Sequence, residues 1–339
     1  MDDLEYLSRQ APHTQEPDPD ARDRARAALL AKIDNAATAC GATRQRKPSR
    51  VRARWIAGIA AGAVVVAAGV ALVLTLGPDG NGTPIAAAAT LRQAAAVAGA
   101  QPAPAVPPGQ YLYVKSEGAN LSMDESGGGA IALVPWSRET WIGENGRLRQ
   151  SSGEPQFLSV ADREHWVAAG KSIAAGPART TDLDPVEAPD LPTDPDELFA
   201  RLSEEASALE AKLAAGGNGP VLYEEMFVLV GDNLRETLAS PALRAALYEV
   251  AARIPGVTLA GTMNDRAGRT GVGVSMDSTT WRTRTTLVID PDTSQLLGEE
   301  EVSLEGNELG YEPGTVLGYS TYLLVATVPT NDALPEASN

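Results

Sequence analysis

The side chains that most often catalyse reactions or bind metals are scarce in this chain. It has two histidines, His13 and His165, and one cysteine, Cys40, among 339 residues. Zinc sites draw on several cysteine, histidine or carboxylate ligands, and a serine nucleophile needs a histidine base beside it. His165 lies near Asp162 and Glu164, but the sequence contains no Gly-x-Ser-x-Gly motif. We therefore predict that the protein is not an enzyme and has no catalytic, cofactor or metal site.

Residues from position 290 onward have part of the spacing of a calcium-binding loop. Positions one, three, five and twelve of such a loop are taken by Asp290, Asp292, Ser294 and Glu301. Gln295 stands where that loop needs glycine, and the flanking residues have the pattern of strands rather than helices. We interpret the run as a hairpin turn, in which Asp290 and Pro291 end one strand and Gln295–Leu297 begin the next.

Two further classes of ligand are disfavoured by spacing and charge. Gly268, Gly271 and Gly273 lack the spacing of a dinucleotide-binding fingerprint and precede no helix, so we interpret them as a turn and a strand.

The chain carries 44 acidic and 28 basic side chains, with a net charge of -16. Phosphate binding needs clustered lysine and arginine. We predict no nucleic-acid partner.

Residues 55–76 form a long apolar run. These 22 residues include no charged side chain, side-chain amide or proline. A helix of this length is about 33 Å long, enough to cross a hydrocarbon core of about 30 Å. A core helix rarely stays apolar on every face for so long. We predict one transmembrane helix here, in contact with membrane lipid. Gly58 and Gly62 either form a small-residue face for a homodimer or reflect the Gly and Ala content alone.

The charges around the apolar run predict its orientation. Six cationic side chains and no acidic one lie between Arg44 and Arg54, which is typical of the cytoplasmic side. The first 54 residues hold 11 basic and 8 acidic side chains, whereas the rest hold 17 basic and 36 acidic. We predict a signal-anchor in the cell membrane with the amino terminus inside. A signal peptide cleaved near Ala86–Ala88 is the alternative, but the leader is longer than such peptides.

The predicted cytoplasmic arm, residues 1–54, is too short for an independent core. Prolines interrupt its first part, and the Ala-rich segment 21–39 has a modest apolar stripe that predicts a helix. Two interpretations stay open. The helix docks a cytoplasmic protein partner, or it lies on anionic lipid beside the membrane.

The residues after the span predict an extracytoplasmic α+β unit. Segment 77–109 is a helical and Pro-rich linker with an Ala-rich helix at 85–100, and segment 329–339 is a disordered tail. Segment 110–328 contains strands and helices in separate blocks, which is typical of an antiparallel sheet packed with helices.

Local signals place the elements of that domain. A strand begins at Tyr111, and Asn145-Gly146 predicts a hairpin with a two-residue loop. Asp194 and Ser240 each precede a proline and predict the starts of two helices, with another helix at about 224–239 between them. Later strands are predicted at 257–263, 271–276, 285–290, 295–303 and 315–328.

Several segments carry a resemblance to a known family. LPTDPDEL (191–198), ETLASPALRAALYEVAARIPGV (236–257) and TTLVIDPDTSQLLGEE (285–300) resemble an uncharacterised family of actinobacterial single-pass membrane proteins, as does PPGQYLYV (107–114). The family has no assigned activity, but its genes often lie near extracytoplasmic-function sigma factors, which implies a link to envelope signalling. More distantly, the outer domain looks like the half-barrel of lipoprotein carriers and anti-sigma co-regulators. That resemblance implies a curved sheet around an apolar concavity.

Two classes of function follow from these observations. The first is a membrane-anchored, non-enzymatic envelope sensor or regulatory protein whose outer domain binds a ligand or partner. The second is an anchored carrier or scaffold for lipid or lipoprotein, which predicts a continuous apolar cavity. A concave face filled by the protein's own helices would count against the carrier.

Overall fold

The computed structural model describes residues 84–102, 106–123, 131–183, 190–215, 221–235, 239–307 and 309–336. The predicted arm (1–54) and the predicted transmembrane helix (55–76), with Gly58 and Gly62, lie outside these ranges. Within the described ranges, no helix is both long enough and apolar enough to cross a membrane.

Nine strands of the described segment form one large curved antiparallel sheet. They are β1 (Tyr111–Met123), β2 (Ile131–Ile142), β3 (Gly146–Ser152), β4 (Arg179–Leu183), β5 (Thr258–Asn264), β6 (Thr270–Ser278), β7 (Thr283–Ile289), β8 (Leu296–Ser303) and β9 (Val316–Val328). Their order is β4-β3-β2-β1-β9-β8-β7-β6-β5. The last strand, β9, therefore pairs with the first and joins an amino-terminal wing (β1–β4) to a carboxy-terminal wing (β5–β9).

Five helices accompany the sheet in the described segment. They are α1 (Pro84–Ala100), α2 (Val160–Ala168), α3 (Pro195–Ala215), α4 (Leu222–Arg235) and α5 (Pro241–Ala251). The Asp194 carboxylate accepts hydrogen bonds from the Asp196 and Glu197 amides at 2.9 and 3.1 Å. The Ser240 hydroxyl accepts one from the Leu243 amide at 3.1 Å. Both capping predictions are confirmed, because these oxygens satisfy amides that have no partner within the helix.

The main core lies between α1, α3, α4 and α5 and one face of the carboxy-terminal wing. Phe227 and Leu247 from the helices and Val274 and Leu287 from the strands are almost completely buried there. Paired residues in an antiparallel sheet share a face. The row that contains Leu287 continues through Glu299, Ser320, Gly118 and Trp136. We call this helix-bearing face the inner face of both wings.

The opposite, outer face carries a smaller cluster beside the end of β9. Tyr113, Trp141 and Val328 are buried, and the two aromatic rings meet edge to face at 5.3 Å. Trp141 Nε1 donates to the Ala333 carbonyl at 2.7 Å, and Ala333 packs against the cluster. The predicted disordered tail (329–339) therefore differs from the structure over residues 329–336, which are attached to the sheet. Residues 337–339 lie outside the described residues.

The predicted α+β class with a curved antiparallel sheet is confirmed. The five later strands lie within two residues of their predicted bounds at each end. The hairpin at Asn145-Gly146 is present, but its loop has three residues, 143–145, and Asn145 does not have the positive φ of a type I′ turn. The two-residue loop was therefore wrong. Strand β4 and helix α2 were not predicted, because neither has a clear hydrophobic period.

Candidate functional site

The inner face is only partly covered by helices. The core helices pack over the carboxy-terminal wing, and α2 covers the start of β2, where Trp166 packs on Ala132 and Val134. Beside α4 the inner face is open and forms a cavity of about 750 Å³. It is lined by Ser116, Trp136, Arg138, Thr140, Leu148 and Gln150 of the amino-terminal wing, by Glu299, Ser320 and Tyr322 of β8 and β9, and by Val228 and Arg235 of α4, among others. We call it the inner cavity.

A hydrogen-bonded ion pair fixes the helical wall of the inner cavity. Arg235 Nε donates to Glu299 Oε2 at 2.7 Å, and the same guanidinium also pairs with Asp232. The Tyr322 hydroxyl donates to Glu299 Oε1 at 3.4 Å. Burial lowers the pKa of Arg235, but the attraction of Glu299 and Asp232 outweighs it and leaves that pKa raised. The cluster therefore ties α4 to β8 and β9 with its guanidinium charged.

Tyr322 is held in its neutral form. Burial, followed by the negative charge of Glu299, raises the pKa of Tyr322 well above its usual value. The hydroxyl therefore stays a hydrogen-bond donor at physiological pH. This group borders the inner cavity, so the wall presents a fixed donor and a fixed ion pair rather than an acid–base pair.

The floor of the cavity is formed by an aromatic ring and a cation. Trp136 lies against Gly118, where an added Cβ would approach the ring at 2.6 Å. The Arg138 guanidinium stands over this ring, 5.2 Å from its centroid, a distance typical of a cation–π contact. Trp136 Nε1 is buried and has no hydrogen-bond partner among the described residues. Because this nitrogen is closed to solvent, the floor presents to the cavity the aromatic ring and the Arg138 guanidinium rather than the indole donor.

Of the possible calcium ligands, Glu301 lines the inner cavity and the others lie elsewhere. Asp290–Gln295 is the β7–β8 turn, in which the Asp290 carboxylate accepts from the Asp292 and Thr293 amides at 2.8 and 3.2 Å. Glu301 lies well along β8, opposite Thr285. The hairpin interpretation is therefore confirmed.

The histidine and the glycines also have structural positions. His165 is exposed on α2, where its carbonyl accepts from the Ala169 amide at 2.9 Å. Gly268 lies in the β5–β6 turn with a φ of 82°, and Gly271 and Gly273 lie in β6. The prediction of a turn followed by a strand is confirmed.

Sequence reasoning missed the residues of the inner cavity. Trp136, Arg138 and Thr140 alternate along β2 and so share one face. That alternation was the available signal, but the strand was recognised only from Glu139 onward.

No protein family, curated protein or solved structure matches the chain.

Proposed function

We propose that the chain is a membrane-anchored, non-enzymatic sensor or regulatory protein of the cell envelope, whose outer domain binds a ligand in the inner cavity. The observation that carries the proposal is the incomplete covering of the inner face. A sheet face in a domain of this size is normally filled by its own helices or by a second sheet. Here a cavity of about 750 Å³ stays open in the amino-terminal wing, within the size range of small-molecule sites.

The lining favours a ligand with both polar and apolar parts. Trp136, Leu148 and Val228 offer apolar contact, whereas Arg138 and Gln150 offer hydrogen-bond donors. The Arg235–Glu299 pair is already neutralised, so it contributes shape and rigidity more than net charge. Such a lining fits the binding part of a sensor, because specific polar contacts discriminate between ligands.

The anchored carrier stays a second candidate because a more apolar cavity adjoins the first. This cavity of about 430 Å³ is lined by Leu121, Met123, Trp281, Leu309 and Leu317, among others. It shares the lining residues Asn120, Glu301 and Gly318 with the inner cavity. An acyl chain lying across both would support carriage of lipid rather than sensing.

Native mass spectrometry of the full-length protein in detergent tests ligand binding. We expect a bound species that is lost in Thr140→Trp, because this substitution places a large ring on the inner face of β2. The matched control is Thr180→Trp, which makes the same change on the outer face of exposed strand β4, opposite Arg149. Bound lipid would favour the carrier, and a bound polar metabolite the sensor.

Two outcomes would refute the proposed site. A wild-type protein that retains no ligand from cell membranes would contradict a binding function. A ligand retained equally by Thr140→Trp and Thr180→Trp would place binding outside the inner cavity. Circular dichroism of both variants distinguishes loss of the ligand from loss of the fold.

The regulatory half of the proposal rests on the predicted arm and needs its own test. Protease added to intact spheroplasts should degrade the described domain and leave the arm (1–54) protected. The reverse pattern would overturn the proposed orientation. Crosslinking of the full-length protein in cells, followed by recovery of the arm, should then yield a cytoplasmic protein, and recovery of lipid alone would contradict a regulatory role.

A further inference from the structure

A second cavity lies at the end of the domain where α4 meets α5. Its volume is about 370 Å³. Three arginines, Arg235, Arg244 and Arg269, contribute to its lining. Ala239, which immediately precedes the N-cap of α5, lines it as well. We call it the arginine cavity.

The three arginines differ in how their charges are balanced. Arg269 donates through Nε and Nη2 to the Asp265 carboxylate at 2.8 and 2.6 Å, and Arg235 is paired with Glu299 as described above. Arg244 makes no ion pair within the described part of the chain, and its buried Nε has no hydrogen-bond partner there. Among the described residues, Arg244 is therefore the one arginine of this cavity that has no counter-ion.

Two features of its surroundings make it unfavourable for Arg244 to lack a counter-ion. Burial lowers the pKa of Arg244, which reflects the loss of water around a charged group. Arg244 also lies in the second turn of α5, whose amino-terminal end carries partial positive charge. A bound anion would relieve both penalties.

The rest of the lining limits the kind of anion. Besides the arginines it includes the apolar residues Leu112, Leu234, Ala239, Leu296, Leu297, Leu323, Leu324 and Val325. Gln101, Thr293 and Gln295 add neutral polar groups. An inorganic anion would leave these apolar side chains uncovered, whereas an anion with an apolar chain would contact them.

We propose that the arginine cavity binds the carboxylate of an apolar organic acid, with Arg244 as its counter-ion. A single unpaired cation matches a single negative charge, and the planar guanidinium matches the planar carboxylate. A phosphate monoester carries nearly two charges at neutral pH and would leave one of them unbalanced. This site shares Arg235 and Tyr322 with the inner cavity but has its own counter-ion, Arg244, and it stands whether or not the inner cavity binds a ligand.

Calorimetric titration of the full-length protein in a non-ionic detergent tests the assignment, with a detergent-only titration subtracted. Hexanoate is the probe, hexanamide is its neutral counterpart and hexyl phosphate is its dianionic counterpart. We expect hexanoate to bind about tenfold or more tightly than hexanamide, since charge-assisted hydrogen bonds are stronger than neutral ones. We expect hexyl phosphate to bind more weakly than hexanoate.

The variants locate the charge that is responsible. Arg244→Gln should reduce hexanoate affinity about tenfold or more and leave hexanamide binding nearly unchanged. Because Arg244 has no described carboxylate partner, its replacement leaves no counter-charge exposed, and the variant should fold. The control is Arg253→Gln, which removes an arginine that pairs with Asp196 just beyond the end of α5. Thr140→Trp should leave hexanoate binding intact.

Four results would overturn the assignment. Equal affinity for hexanoate and hexanamide would show that charge is not recognised. An unchanged hexanoate affinity in Arg244→Gln would exclude Arg244 as counter-ion. Tighter binding of hexyl phosphate than of hexanoate would show that the cavity prefers a dianion to a carboxylate. Loss of hexanoate binding in Thr140→Trp would instead place the probe in the inner cavity.

Discussion

Replacing Glu299 by glutamine tests whether the ion pair on the inner face stabilises the fold. Glu299 is 12% exposed and pairs with Arg235, which is 35% exposed. Removing one partner of a fully buried pair costs about 3–5 kcal/mol, because the other charge is left buried and unpaired. In Glu299→Gln, Arg235 would still pair with Asp232 and is partly exposed to solvent. We therefore expect this variant to lower the free energy of unfolding by about 2 kcal/mol.

The neighbouring residue provides a matched control. Glu300 lies on the outer face, where it is 25% exposed and pairs with Arg266, which is 45% exposed. Glu300→Gln makes the same chemical change one residue away. Surface pairs contribute about 0–1 kcal/mol, so this variant should lose less than half as much stability as Glu299→Gln.

Urea unfolding of the full-length protein, followed by circular dichroism, measures both losses. Double-mutant cycles with Arg235→Gln and Arg266→Gln then give the coupling energy of each pair. We expect about 1–2 kcal/mol between Arg235 and Glu299 and about 0.5 kcal/mol or less between Arg266 and Glu300. A Glu299→Gln loss no larger than that of Glu300→Gln would refute the argument from burial.

Three further changes should have measurable effects. Because burial and Glu299 raise the pKa of Tyr322, the folded protein binds this proton more tightly than the unfolded chain does. The resulting stability is complete below about pH 10 and falls as pH rises above it, and Tyr322→Phe should reduce that slope in unfolding at pH 9 to 11. Deleting residues 329–339 removes the acceptor of Trp141 Nε1 and should lower the unfolding free energy by about 1–2 kcal/mol with a shift in tryptophan emission. Unchanged stability and emission would contradict the observed attachment. Gly118→Ala places a Cβ against the Tyr319 backbone oxygen and 2.6 Å from the Trp136 ring, and it should destabilise by about 3 kcal/mol in the same assay.

The parts of the fold that follow from sequence are those with local physical causes. The starts of α3 and α5 were predicted because one side chain, Asp194 or Ser240, satisfies the first amides of its own helix. The strands of the carboxy-terminal wing were predicted because alternation and turn residues are both short-range features. The β7–β8 turn followed from Asp290, which accepts from amides two and three residues ahead.

The parts that the sequence did not predict depend on contacts between distant residues. Strand β4 is short and exposed, and its five residues form a strand because β3 offers an unpaired edge. Helix α2 buries essentially one large side chain, Trp166, on β2. Residues 329–336 are rich in turn formers, but Ala333 is fixed by Trp141, which lies 192 positions earlier in the chain.

Both cavities arise from the pairing of β9 with β1, which no local pattern encodes. That pairing brings Tyr322 opposite Ser116 and so places the amino-terminal wing beside α4. The Arg235–Glu299–Tyr322 cluster then becomes the shared boundary, because Arg235 and Tyr322 line the inner cavity and the arginine cavity alike.

A ligand that shifts Arg235 in one cavity must alter the wall of the other. The coupling is measured as the change in hexanoate affinity when Thr140→Trp obstructs the inner cavity. It should be small, because Glu299 and Asp232 already hold Arg235 in place. The same coupling should be larger in Glu299→Gln, because the Arg235 guanidinium has lost its main partner there. A coupling that Glu299→Gln leaves unchanged would show that this boundary does not connect the two cavities.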